Sequence, residues 1–343
     1  MRATCPTLLT RRSFNVGMAA FAVGVATGCG RPAEAPAPTS LDRVTYLTNF
    51  GQLGRDAYSY HAVTQGFFAD AGLSVAIEPG TGTLGNLQAL AAGQAQFAAV
   101  DLAGAIIARG EGTADFTIVA AIQQRNLAAI MTLDPEIRHP LDLAGRTLGL
   151  PPGAVTELLF PAYARVAGLD PDEVTQVPIE GPALVGALAS GEVDAIGQFV
   201  VGQPLVELAA DGRPVTVLAY DEYLDDLYGV CLLTTPVLAD VDPDLCVRFR
   251  DALLRGLSHA LDHPDLAAAA LAEQAPATDP EVAAAELRLM APYVRSRGPS
   301  VPVGGMEESR VMRSIALLES IEAVREPGLR PADLIRFDLL PRA

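Results

Sequence analysis

Ala89-Leu90-Ala91-Ala92-Gly93, leading into Phe97-Ala98-Ala99-Val100-Asp101, is answered 98 residues later by Ala187-Leu188-Ala189-Ser190-Gly191, leading into Ala195-Ile196-Gly197-Gln198-Phe199. Each stretch reads as a helix stopped by glycine and followed by a short strand, since Ala and Leu favour helix and glycine accepts the left-handed backbone that ends one. An Ala-Leu-Ala-x-Gly ending is compositionally cheap and recurs by chance, so its meaning depends on its surroundings. Those surroundings alternate. Strand-like runs at 44–48, 74–77, 98–100 and 117–121 are separated by helical patterns near 60–71 and 84–92. A second set follows: strands at 128–132, 147–150, 175–178, 195–199, 215–219 and 230–234, with helices near 156–167 and 183–190. Alternation of this kind predicts an α/β architecture, parallel sheet covered by helices, and its repetition predicts two similar lobes with a cleft between them. From 244 to about 322 the pattern is almost wholly helical, broken by Pro264, Pro276, Pro280 and the loop 298–305.

The N-terminus reads as an address. Thr10-Arg11-Arg12-Ser13-Phe14 and an uncharged Ala/Gly-rich run to Gly28 match a twin-arginine export signal, and Ala26-Thr27-Gly28-Cys29 resembles a lipobox in which Cys29 takes the lipid. The apolar run of about 15 residues is shorter than the roughly 20 that span a bilayer. Residues 1–28 are therefore expected to be a signal peptide, and the Pro- and Ala-rich residues 29–40 a flexible tether. The formal charge of −17 becomes −20 when Arg2, Arg11 and Arg12 leave with the signal, which argues against nucleic acid and anionic lipid headgroups as partners. In the folded body only Cys231 and Cys246 remain, either paired or as two buried free thiols; no Cys-x-x-Cys spacing occurs.

Several loops carry ligand-binding character. Gly80-Thr81-Gly82-Thr83-Leu84-Gly85 fits a dinucleotide fingerprint, with Asp101 at the acid position, but Glu78-Pro79 separates strand from glycines and the next helix has room for about two turns, so that reading is set aside. What remains is a glycine-rich turn feeding a helix N-terminus, whose free N–H groups suit an anion or a polar ligand edge; Thr81, Gly82 and Thr83 are candidate contacts. Residues 150–156 have the same form, with Gly153 and Thr156 as the candidates. The segment 49–60 follows the first strand, where ligands of open α/β sheets bind. Phe50 and Tyr58 are candidate stacking faces, and Arg55 and Asp56 candidate charges. Asp101, Gln198 and Phe199 close buried strands, and a polar head there faces solvent or ligand. Catalysis finds little support. His259 and His263 have i,i+4 spacing but no third ligand and are read as a solvated helix end; nucleophile-elbow, Walker and paired-acid motifs are missing, and no metal or cofactor is expected.

Arg55-Asp56-Ala57-Tyr58-Ser59-Tyr60-His61-Ala62, Gln65-Gly66-Phe67-Phe68 and Ala71-Gly72-Leu73-Ser74-Val75 resemble the opening of ABC-transporter solute-binding proteins for nitrate, sulfonate, taurine and thiamine-precursor pyrimidines. The run from His139 to Gly149, Gly168-Leu169-Asp170 and Gly191-Glu192-Val193-Asp194-Ala195 are similar to later elements of that family, in order. The resemblance implies a type II periplasmic-binding-protein fold with a hinge and an interlobe ligand cleft. One lobe would hold 41–125 and about 236–343, the other about 126–235. Crossings fall near Gln123–Asn126, which makes Gln123 a candidate contact, and near Gly229–Thr235. It implies an extracytoplasmic, lipid-anchored, monomeric receptor that passes a small ligand to ABC permease and ATPase subunits and is not an enzyme. Eukaryotic relatives that synthesise pyrimidine use a His where Asp56 stands and carry a Cys cluster, which this chain lacks. Two acids and several rings suit an aminopyrimidine or related heterocycle, with sulfonate, taurine or nitrate as alternative ligands and an exported enzyme or a ligand sensor as alternative functions.

Overall fold

The computed structural model describes residues 41–295, 301–324 and 327–342 of the 343-residue chain. The expected signal, Cys29 and the tether lie outside the described residues. The first set of elements is β1 (Asp42–Leu47), β2 (Phe50–Gly51), α1 (Ala57–Thr64), α2 (Phe67–Asp70), β3 (Leu73–Glu78), β4 (Gly80–Thr81), α3 (Thr83–Ala91), β5 (Phe97–Asp101), α4 (Leu102–Gly110) and β6 (Thr117–Ala121). The second is β7 (Ala128–Thr132), β8 (Thr147–Leu150), α5 (Val155–Val166), β9 (Thr175–Pro178), α6 (Gly181–Ser190), β10 (Ala195–Phe199), α7 (Gln203–Ala209) and β11 (Thr216–Ala219). The chain continues through β12 (Val230–Thr234), α8 (Pro236–Val241), α9 (Pro243–Asp262), α10 (Pro264–Gln274), α11 (Pro280–Val294) and α12 (Glu308–Ser320).

Two five-stranded sheets result, ordered β3-β1-β5-β12-β6 and β11-β7-β10-β8-β9, with β2 and β4 forming a small separate ladder. The repeated motif marks the middle strand of each: β5 and β10 are both third in order, and each follows a helix closed by a glycine of positive φ, Gly93 (+70°) and Gly191 (+76°). A Cβ on either would meet nothing within 4 Å, so the backbone angle, and not crowding, is what calls for glycine there. Two expectations are corrected. The sheets are mixed, since β12 runs antiparallel to β5 and β6, and β7 antiparallel to β10 and β11. Residues 230–234, counted in the second set from sequence order, belong to the first sheet. All five residues of β12 are buried, so no polar–apolar alternation in the sequence reveals which sheet receives the strand.

The C-terminal helices cover the first sheet. Phe249 of α9 stacks on Phe97 of β5 at 4.1 Å and 4°, and also meets Phe68 and Tyr46. Near the chain's end, Ile335 bridges to Ile118 of the edge strand β6, and the Ile118 N–H donates to the Leu334 carbonyl at 2.8 Å. Cys231 on β12 and Cys246 on α9 are both free and buried; burial pushes the Cys246 thiol up to about 11 and the Cys231 thiol further. The histidine expectation also changes. His259 is half-buried, not simply solvated: its Nδ1 lies 2.7 Å from Nε2 of the fully buried His61 on α1, and the rings stack. Burial, then the neighbouring His259 and His263, push His61 down to about 4. Among the described residues no group of three side chains is arranged to hold a metal ion.

Candidate functional site, a cavity between the lobes

The first sheet ends its central strands in a braced loop. Asn86 of α3 donates from Nδ2 to the carbonyls of Thr48 (2.8 Å) and Ala99 (2.9 Å) and accepts at Oδ1 from the Thr81 N–H (3.0 Å). One buried amide thus fastens the ends of β1, β4 and β5. Gly80 sits so close beneath that a Cβ would lie 1.8 Å from the Thr48 carbonyl oxygen. Held in this way, the loops present Asn49, Phe50, Leu53, Arg55, Gly82, Thr83 and Asp101 to a cavity of about 440 Å³. The second lobe supplies the facing wall: Pro151, Ala154, Val155 and Thr156 at the start of α5, Gly181, Pro182, Leu184 and Val185 at the start of α6, and Gly197, Gln198, Phe199 and Leu205. Most of the wall is apolar, and its polar groups are few and buried, the usual composition of a small-molecule pocket.

Three helices begin at this wall without a side-chain cap: α3 after Gly82, α5 after Ala154 and α6 after Glu180. First-turn N–H groups lack partners inside a helix, so these ends add partial positive charge to the cavity's rim. The full positive charge is Arg55, only 6% exposed, whose Cζ stands 4.8 Å from the centroid of the Phe199 ring on the opposite lobe. Its backbone N–H donates to Oε2 of Glu286 on α11 at 2.9 Å, while its Nε has no hydrogen-bond partner. Beside it Asp56 is pushed up to about 7, by burial first and by Glu286 second, against the pull of Arg55 and of the Leu53 and Asn49 N–H groups. Burial raises Glu286 as well, again opposed by Arg55.

Asp101 caps α4, accepting from the Ala103 N–H (3.0 Å) at Oδ1 and from Asn126 Nδ2 (3.1 Å) at Oδ2. Burial outweighs those bonds and pushes it up to about 7. Asn126 in turn accepts the Ala128 N–H at 2.7 Å, so a cavity carboxyl is joined to the segment where the chain passes to the second sheet. On the far wall Thr156 is 3% exposed and its Oγ1 has no partner.

Of the residues singled out in the sequence, Phe50, Arg55, Gly82, Thr83, Asp101, Thr156, Gln198 and Phe199 line the cavity. Five do not. Tyr58 is buried in the first lobe with its hydroxyl 2.9 Å from that of Tyr46, because the helical rotation after residue 55 turns it inward. Asp56 lies behind Arg55, and Thr81 is exposed outside the wall. Gln123 is spent on the crossover, accepting from the Val230 N–H at 3.1 Å and lying 3.6 Å from Met290 Sδ. Gly153 is not part of the lining, although Pro151 and Ala154 on either side of it are. The sequence reading missed the start of α6, although Glu180-Gly181-Pro182 is the same strand-to-helix signal that marked 80–85 and 150–156. It also missed Leu184, Val185 and Leu205, which carry no local sign distinguishing them from core.

The sequence model of a family described as NMT1/THI5 like matches residues 56–267. The formylaminopyrimidine-binding protein of Halalkalibacterium halodurans is 21% identical over 291 residues, 84% of this chain and 88% of that one. The riboflavin-binding protein of Chloroflexus aurantiacus is 26% identical over 247 residues, 70% of this chain and 69% of that one. Among solved structures, the alkanesulfonate-binding protein of Xanthomonas axonopodis pv. citri bound to MOPS superposes with a TM-score of 0.69 at 16% identity, covering 87% of this chain and 99% of that one. The fold is thus the two-lobed type II periplasmic-binding-protein fold. With well over half its length inside the matching region, the chain belongs to the NMT1/THI5-like family.

Proposed function

We propose that this chain is the extracytoplasmic solute receptor of an ABC importer, closing its two lobes on a small ligand and presenting it to the permease and ATPase subunits. One observation carries the reading. Two residues whose buried side chains each keep a polar atom without a partner, Arg55 (Nε) from one lobe and Thr156 (Oγ1) from the other, line a single cavity whose wall is otherwise largely apolar. A buried donor without a partner costs about 1–3 kcal/mol, so a guest that pairs with both stabilises the closed arrangement over the open one.

The ligand we infer is a planar heterocycle with polar edges, its faces against Phe50 and the other apolar residues and its edges toward Arg55 and Thr156. The pyrimidine-binding relative supports an aminopyrimidine. The cavity's volume leaves room beyond one six-membered ring, which favours a flavin as the second reading. A sulfonate or nitrate would pair with Arg55, but Asp56, Glu286 and Asp101 offset that charge within the same region. A thermal-shift screen of an aminopyrimidine, riboflavin, an alkanesulfonate and nitrate separates these. At a hundredfold excess over Kd a binder adds about 2.7 kcal/mol, an upward shift of roughly 4–5 °C. A shift with the heterocycles is expected; a shift with the sulfonate alone rules out the ligand class.

We also infer that Cys29 anchors the chain by a lipid. Cys29→Ala is expected to move the protein from the membrane fraction to the soluble one. Unchanged membrane association would reject the anchor.

A further inference from the structure

We propose that the Phe50 ring and Gly181 form the gate of the cavity, and that residue 181 must lack a side chain for the lobes to shut. Phe50 belongs to the first lobe, on the two-residue strand β2, which pairs with the equally short β4. Gly181 belongs to the second lobe, as the first residue of α6. Both line the cavity, yet Phe50 is 37% exposed, so its ring lies at the boundary between cavity and solvent.

The fit at this point is tight. A Cβ built on Gly181 would lie 2.8 Å from Phe50 Cζ and 2.9 Å from Cε1, and a Cβ on Gly82 would lie 3.6 Å from Cδ2. The ring is therefore held between one glycine of its own lobe and one of the other. Gly181 has helical backbone angles and no positive φ, and it directly precedes Pro182, whose ring by itself disfavours those angles for a residue with a Cβ. The space taken by the ring from the opposite lobe is the second reason for glycine here, and removing the ring in a double variant separates it from the first. Gly186, five residues along α6, has nothing within 4 Å of its would-be Cβ and serves as the internal control.

A ligand reaches the cavity when the lobes part and carry the ring off its glycine seat, and is enclosed when they shut and the ring returns to it. The gate presupposes the binding role proposed above, but its test needs no ligand, so a failed ligand screen and a failed gate experiment count against different claims. Small-angle scattering of the ligand-free protein reads the interlobe opening directly. Gly181→Val is expected to raise the radius of gyration by ~1 Å from the roughly 19 Å of a compact body this size. Gly186→Val is expected to leave it unchanged, and Phe50→Ala added to Gly181→Val is expected to restore the parental value, since removing the ring vacates the seat. Phe50→Trp approaches the same collision from the other lobe and should open the protein as Gly181→Val does, which keeps the claim testable if Gly181→Val does not fold. A parental radius for both Gly181→Val and Phe50→Trp, or a double variant that stays open, overturns the gate.

Discussion

Arg55→Ala is expected to cost roughly 3–5 kcal/mol at pH 8, lowering the thermal midpoint by roughly 5–10 °C, and clearly less at pH 5. The reason lies behind the cavity wall. Asp56 and Glu286 are buried carboxyls raised by desolvation, and the largest cause that opposes the rise in both is Arg55. For Asp56, about 7 in the fold against an ordinary 3.8, the sign is fixed: its stabilising contribution is complete below about 4 and is lost as pH rises through 7. Removing Arg55 pushes both groups higher still, so two buried carboxylates without their cation are hardest to tolerate on the alkaline side. At pH 5 Asp56 is protonated in parent and variant alike, so its share of the loss disappears, leaving the pairing with Glu286 and the packing of the guanidinium over Phe199. His61 acts in the opposite sense. Its folded value near 4 lies below the ordinary 6.5, so its contribution is lost as pH falls through that window, but it does so in both proteins and cancels in the difference. Unfolding midpoints of parent and variant between pH 5 and 8 check this; a pH-independent gap would mean that the carboxyls do not depend on Arg55.

The same cluster shows how far the sequence could be read. Strand ends and helix starts are local features, so Phe50, Thr83, Thr156, Gln198 and Phe199 were visible as candidates before any lobe was assembled. The paired Gly-closed helices likewise foretold the two central strands, because a left-handed helix stop is set by the chain's own backbone. Direction around a helix was not legible. Arg55, Asp56 and Tyr58 stand within four residues, and only the packing of the 54–56 turn on α11 sends the first to the cavity, the second behind it and the third into the core. Glu286 lies 231 residues from the Arg55 N–H it accepts, and nothing near residue 286 announces that partner. The sheet that receives β12 was hidden for a related reason: a strand buried on both faces has no polar side to report its neighbours.

Gly54→Ala tests the seat on which that arrangement depends, and its effect is expected to be among the largest of the single methyl additions near the site, alongside that at Gly80, whose Cβ would lie 1.8 Å from the Thr48 carbonyl oxygen. A Cβ at residue 54 would lie 2.4 Å from Ala283 Cα and 2.7 Å from its carbonyl oxygen, both backbone atoms of α11. Side chains yield to such contacts by changing rotamer, but a helix backbone yields only by moving whole. Moving α11 would break the 2.9 Å bond from the Arg55 N–H to Glu286 and the contact between Met290 and Gln123 at the crossover. A loss of more than about 3 kcal/mol is therefore expected, read as a collapse of the urea midpoint or of folded yield. Gly66→Ala, at a positive φ with nothing within 4 Å, carries strain without collision and should cost only about 1 kcal/mol. The decisive comparison adds Ala283→Gly to Gly54→Ala. Trimming the Ala283 side chain leaves the colliding Cα and carbonyl in place, so the double variant is expected to remain as unstable as the single one. Recovery in the double variant, or a parental midpoint for Gly54→Ala, would mean that the turn and α11 can separate and that Arg55 is positioned by something other than this backbone contact.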